Sequence, residues 1–233
     1  MTSRDDIALR ESGYVGRAQE LGYGLAAPLY DLIVGFMLLP VGGPGAWRRQ
    51  VTGWLDARES QQVLSLGCGT GAAERAILRA APSAHVTAID LGAGQIAMAK
   101  RRDPERRIDY RVGNAAATGL ESGRFDRVLI GGALHEMPRA LRIAVLREAR
   151  RVCHPEGRVL AVEPTRTATR WSALWRSAWL FLWIPGNPEA ATIRDLIGSG
   201  LANEMAEAGL SVLERHVSTP DWFEGLVAAP RAG

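Results

Sequence analysis

From Gln62 onward the chain alternates two textures: short runs of apolar residues, and longer runs in which apolar residues recur every three or four positions. The first suits strands, where successive side chains point to opposite faces, and the second suits helices, where one face returns every 3.6 residues. Strands are predicted over 63–66, 85–89, 108–112, 127–130, 158–162 and 211–217, with a last run around 222–228. Helices are predicted over 71–80, 93–101, 139–152 and 193–208; in the third, Leu141, Ala144, Val145 and Ala149 recur at helical spacing. Pro82, Pro138, Pro155 and Pro164 stand at element ends, where a missing N–H does least harm. This alternation predicts an α/β fold: a mostly parallel, Rossmann-like sheet of seven strands built from β-α-β units.

Two segments fall outside the alternation. Residues 1–58 read as helical, interrupted by Pro28, Pro40 and Pro44, and are expected to form an N-terminal helical cap over the sheet's ligand edge. The cap belongs to the same domain as residues 59–233. Within the latter, 165–187 is a Trp-rich helical insertion holding four of the chain's seven tryptophans. Trp171, Trp175, Trp179 and Trp183 recur every four residues, which puts them along one slowly turning helix face. Such a stripe serves as core packing against the cap, as the wall of a pocket for a flat or lipophilic molecule, or as a cation–π partner.

Composition narrows the classes. With 233 residues, 47% hydrophobic and 23% charged, the chain is an ordinary globular domain rather than a disordered or fibrous one. The net charge of +3 is carried by scattered arginines, Lys100 being the sole lysine, so no clustered basic face for nucleic acid is expected. Cys68 and Cys153 are far apart and have no metal-ligand spacing, so neither a disulfide framework nor a zinc site is expected. The first residues lack the basic-then-apolar order of a signal peptide, and no apolar run reaches the ~20 residues of a membrane span. A cytoplasmic protein acting on a small molecule, with no resident metal, is the expectation.

The chemistry is carried by Gly67-Cys68-Gly69-Thr70-Gly71, which follows the apolar run Val63-Leu64-Ser65-Leu66 and opens an alanine-rich helix. Glycines permit the tight turn and let a ligand approach the main chain, and the helix start offers unpaired N–H donors. Asp90 ends the second strand, 19 residues beyond Gly71, which suits an acid accepting from ribose hydroxyls. A nicotinamide dinucleotide would use the same geometry, since Gly67, Gly69 and Ala72 also satisfy the G-x-G-x-x-G/A spacing.

The order of motifs adds a resemblance. Residues 63–71 resemble the first motif of the class I S-adenosylmethionine (SAM)-dependent methyltransferases, usually V-L-D-L-G-C-G-T-G. Ala88-Ile89-Asp90-Leu91 resembles their second motif and Gly113-Asn114-Ala115 their third. Phe125-Asp126-Arg127-Val128, Leu134-His135-Glu136-Met137-Pro138 and the stretch from Leu146 to Arg158 are similar to the fourth strand and the helix and turn after it. Upstream, Tyr30-Asp31 and Trp47-Arg48-Arg49 are similar to the ubiquinone and menaquinone biosynthesis methyltransferases. The resemblance implies SAM as cofactor, with Gly67, Cys68, Gly69 and Gly71 facing its methionine part, Asp90 its ribose, Leu91 its adenine ring and Asn114 the adenine amino group, and with Ala115 of the third motif among the cofactor-binding residues.

Two positions depart from the pattern. Asn114 replaces an aspartate but keeps a carbonyl that can accept from an amine. Ser65 replaces the acid that in the family helps to hold the cofactor's ammonium group, and a hydroxyl makes no such charge-assisted bond. Either a nearby group substitutes, or the amine is left uncharged and nucleophilic, as in the azetidine-2-carboxylate synthases of this fold, which close SAM on itself and expel methylthioadenosine. A third reading is a non-catalytic SAM-binding module. For catalysis, His135 and Glu136 follow the fourth strand at the ligand edge, and an imidazole of ordinary pKa near ~6.5 suits a general base. Tyr30, with Tyr14 and Tyr23, is the cap's candidate for orienting a substrate or the sulfonium.

Overall fold

The computed structural model describes residues 32, 35, 36, 38–181 and 189–231. Tyr14, Tyr23 and Tyr30, the ring of Trp179, and Trp183 lie outside the described residues. The element order is α1 (Gly43–Leu55), β1 (Gln62–Leu66), α2 (Ala72–Ala80), β2 (His85–Asp90), α3 (Ala93–Arg101), β3 (Ile108–Val112) and β4 (Phe125–Gly131). A 3-10 turn (Leu134–Glu136) and α4 (Arg139–Val152) then lead to β5 (Cys153–Pro164), α5 (Arg170–Phe181), α6 (Glu189–Ser199), α7 (Leu201–Glu207), β6 (Leu210–Val217) and β7 (Phe223–Pro230).

The seven strands form one sheet in the order β3-β2-β1-β4-β5-β7-β6. Strands β1 to β5 are parallel, and β7 lies antiparallel between β5 and β6. Because β1 has β2 on one side and β4 on the other, the crossovers diverge there, and a crevice opens at the carboxyl ends of β1 and β4.

Period-two patterning splits the interior into two cores. Leu64 and Leu66 of β1 face a layer made by Val145, Leu146 and Ala149 of α4, Leu196 of α6, and Leu201 and Met205 of α7. Val63 faces the other way, onto Val51 and Leu55 of α1, Ile77 and Leu78 of α2, and Ile96 and Ala99 of α3. Each leucine or isoleucine so buried contributes about 1.5–3 kcal/mol. Ser65 shares the Val63 face by alternation, so a hydroxyl stands within a mainly apolar layer.

Two boundaries differ from the sequence reading. The helix expected over 193–208 is two helices, broken at Gly200, whose φ of 81° no helix accommodates. Strand β5 starts at Cys153 rather than near residue 158, because Cys153 already pairs with Phe125 before the register shifts between Phe125 and Arg127. Pro155 and Gly157 lie in the stretch that absorbs the shift.

Helix α1 is docked by indoles. Trp54 stacks on His216 of β6 with ring centroids 5.4 Å apart, and Trp47 packs on Phe223 of β7 at 4.7 Å. A Cβ on Gly225 of β7 would come within 2.5 Å of the Trp54 ring, so glycine is what admits the indole there. Among the described residues, no helix is long and apolar enough to cross a membrane.

Candidate functional site

The crevice holds a pocket whose floor is the turn between β1 and α2. Gly67, Gly69 and Gly71 all have positive φ, at 74°, 54° and 73°, conformations that side chains rarely adopt. Each glycine has its own reason. A Cβ on Gly67 would lie 2.6 Å from Ala133 of the loop after β4, and one on Gly71 would strike the Tyr110 hydroxyl. A Cβ on Gly69 would meet nothing within 4 Å, so this residue faces open space where a ligand can approach the backbone.

Asp90, at the carboxyl end of β2, braces the turn. Its Oδ2 accepts from the Gly69 N–H and its Oδ1 from the Gly92 N–H, both at 2.8 Å. Burial pushes its carboxyl above the usual range, and the two N–H groups pull it back. The neighbouring Cys68 thiol is driven far up by burial, helped by the negative fields of Glu74 and Asp90, so it stays protonated and unreactive at neutral pH.

At the next strand end Asn114 accepts the Ala116 N–H on Oδ1 at 2.9 Å, while its Nδ2 is buried without a partner. The unpaired group is therefore a donor, suited to a ring nitrogen, rather than the carbonyl acceptor expected from the sequence.

The remaining wall comes from Gly131, Gly132, Ala133, Glu136 and Met137 after β4, from Leu141 and Val145 of α4, and from Leu38, Trp47 and Arg48 upstream. Of the residues singled out from sequence, Gly67, Cys68, Gly69, Asp90, Leu91, Asn114, Ala115 and Glu136 line the pocket together. Ser65 in β1, Gly71 at the end of the turn and His135 do not line it, and Tyr30 is outside the described residues. Trp171 and Trp175 are 71% and 64% exposed on α5 and do not line the pocket; Trp47 of α1 does.

Two acids that the sequence reading passed over are central. Glu163, at the carboxyl end of β5, is buried and accepts the N–H groups of Ala133 at 3.0 Å, Leu134 at 2.7 Å and His135 at 3.3 Å. Its Oε2 also lies 2.7 Å from His135 Nδ1, which fixes the imidazole to the strand end. Glu74, on the first turn of α2, accepts from the Ser65 hydroxyl. Both carried a signal: Glu74 interrupts the apolar face of α2 that holds Ile77 and Leu78, and Glu163 ends the apolar run of β5. A third buried polar group sets the loop after β4. Arg142 of α4, with 0% exposure, donates to Glu204 at 2.6 and 2.8 Å, to Asp195 at 2.6 Å and to the Met137 carbonyl at 2.8 Å.

Comparison with known proteins bears on what this pocket takes. The methyltransferase domain family matches residues 63–157. Demethylmenaquinone methyltransferase of Halalkalibacterium halodurans is 31% identical over 125 residues, covering 52% of this chain and 50% of its own. The ubiquinone/menaquinone biosynthesis C-methyltransferase of Methylobacterium nodulans is 33% identical over 154 residues, covering 64% and 59%. The chain thus spans between half and three-fifths of the length of these curated relatives. Among solved structures, the cyclase SpnF superposes with a TM-score of 0.66 at 16% identity, over 93% of this chain and 97% of that one. Geranyl diphosphate C-methyltransferase of Streptomyces coelicolor A3(2) gives 0.57 at 16%, over 81% and 79%. At those identities the structural likeness establishes the fold.

The residues fit SAM. Gly69 leaves backbone open for close approach, Asp90 keeps lone pairs for ribose hydroxyls, and the buried Asn114 amide lacks only a ring acceptor.

Proposed function

We propose that this chain, a SAM-binding protein whose residues 63–157 form a class I methyltransferase domain, methylates a small aromatic acceptor of the reduced-quinone kind. The observation that carries the reading is the composition of one continuous pocket. One side is the glycine turn with Asp90 and Asn114, and the other is apolar and aromatic, made by Leu38, Trp47, Met137, Leu141 and Val145. The names of the relatives in quinone biosynthesis support the same acceptor class.

SAM supplies an electrophilic methyl group; the protein supplies position, exclusion of water and a proton acceptor. The apolar wall holds a flat ring and keeps water out. Glu163 holds His135 through Nδ1, one residue from the wall at Glu136, and an imidazole there is the candidate proton acceptor. That arrangement suits removal of a proton from a phenolic hydroxyl as the ring becomes nucleophilic. Glu163 acts through the imidazole, as a positioning residue. The unpaired thiols of Cys68 and Cys153, both pushed up by burial, Cys153 to about 12, suit a cytoplasmic setting.

The test is incubation of purified protein with SAM, with and without reduced demethylmenaquinone analogues, followed by mass spectrometry. Acceptor-dependent S-adenosylhomocysteine and a methylated ring are expected. Methylthioadenosine formed without acceptor would overturn methyl transfer in favour of self-cyclisation, and binding without turnover would indicate a non-catalytic module. The cyclisation reading rests on the missing acid at position 65 together with the Trp-rich insertion; Glu74 lies against Ser65.

A further inference from the structure

Position 65 carries a hydroxyl where the resembling family carries an acid, yet an acid stands beside it. Ser65 and Glu74 are 2% and 1% exposed, and the Ser65 hydroxyl donates to Glu74 Oε1 at 2.6 Å. The second carboxyl oxygen, Oε2, is buried and has no hydrogen-bond partner. A buried carboxyl held at one oxygen and unanswered at the other is costly, and such groups persist where something else answers them.

The surrounding charges define what is missing. Asp90 of β2 adds a second negative charge, and the Cys68 thiol and the Tyr110 phenol of β3 are neutral neighbours held protonated by burial. On its own helix, Arg75 is the cation in range, and its Nη1 is committed to the Thr70 carbonyl at 2.9 Å. Two acids therefore flank the glycine turn, the guanidinium on the same helix as Glu74 is engaged with the turn's own backbone, and Arg48 lines the pocket from α1. A cation seated on the turn would answer the unpartnered carboxyl oxygen of Glu74.

We propose that Ser65 and Glu74 form a relocated acidic anchor, in which the charge that selects the cofactor's ammonium end sits on α2 rather than on β1. Ser65 holds one carboxyl oxygen in place and leaves the other to the field of the incoming cation. Ala73 lines the pocket and Glu74 does not, so Glu74 is a positioning residue that acts through the turn. Burial raises its carboxyl, with Ser65 pulling the other way. This inference rests on the SAM reading above, and the experiment separates the two.

The experiment is calorimetric titration with S-adenosylhomocysteine and with methylthioadenosine, which share a nucleoside thioether and differ in the amino-acid end. Glu74→Gln is expected to weaken S-adenosylhomocysteine about tenfold or more and methylthioadenosine less than about twofold. Adding Ser65→Asp to Glu74→Gln is expected to restore the lost affinity. Equal weakening of both ligands, no weakening of either, or no recovery in the double variant would overturn the anchor. Wild-type protein that binds neither ligand would instead refute the cofactor reading. Should Glu74→Gln not fold, Ser65→Ala, which releases the carboxyl oxygen that the hydroxyl holds, is titrated with the same two ligands. Selective weakening of S-adenosylhomocysteine is expected, and equal weakening of both ligands, or of neither, overturns the proposal.

Discussion

Single side chains at strand ends organise the loops around the pocket, and Glu163 shows how much one can hold. Its two oxygens answer three backbone N–H groups and one imidazole, so an amide in its place turns an NH2 toward a donor. Glu163→Gln is expected to cost about 2–4 kcal/mol, read from urea unfolding, and to lower turnover at saturating SAM by releasing His135. What was legible at this scale was placement: Gly67, Gly69, Asp90 and Asn114, singled out by residue type, line one pocket. Glu163 and Glu74 were passed over because their meaning depends on neighbours far along the chain, 28 residues away for the imidazole and nine for the Ser65 hydroxyl. A lone acid in an apolar run is ordinarily solvated, and only the fold shows these two buried.

At the scale of elements, the strands were readable because period-two burial leaves a direct imprint, and the core strands β1, β2 and β4 appear where the pattern put them. The break between α6 and α7 was not, since a single glycine is tolerated inside a helical pattern and only its backbone angle reveals a stop. Its purpose emerges from Arg142. With the helices separated, Asp195 from α6 and Glu204 from α7 converge on one guanidinium, which also grips the Met137 carbonyl beside the pocket. Glu204→Gln is expected to destabilise the protein by about 3–5 kcal/mol in a denaturant titration, because it leaves a buried cation short of its partner. The loss should change little with added salt, since screening acts on exposed pairs.

At the scale of the molecule, the pocket is assembled from distant parts of the chain. Helix α1 contributes Trp47 and Arg48 to the wall, and it is held by the β6–β7 hairpin through Trp54, His216 and Phe223. Gly225→Leu should evict the Trp54 ring and loosen α1. Tryptic cleavage after Arg48 or Arg49 is then expected to accelerate about tenfold, with SAM partly protecting. Unchanged cleavage would show that the indoles are not what docks the helix. None of this coupling was visible in the sequence, where Trp54 and Gly225 are only an aromatic in a helix and a glycine in a strand.

The place of β7 in the sheet has a consequence for how the protein is made. A ribosome delivers the strands in chain order, and the sheet grows outward from β1 until β5 is laid down with one long side bare. The strand that covers that side is β7, and β6, delivered earlier, cannot join the sheet without it. Throughout elongation from residue 164 to about 223, the nascent chain therefore presents the exposed backbone of β5 to any other strand in reach. Stalled or truncated chains should be captured by chaperones or aggregate, whereas completion of one hairpin shields the edge and lets the chain leave as a folded unit.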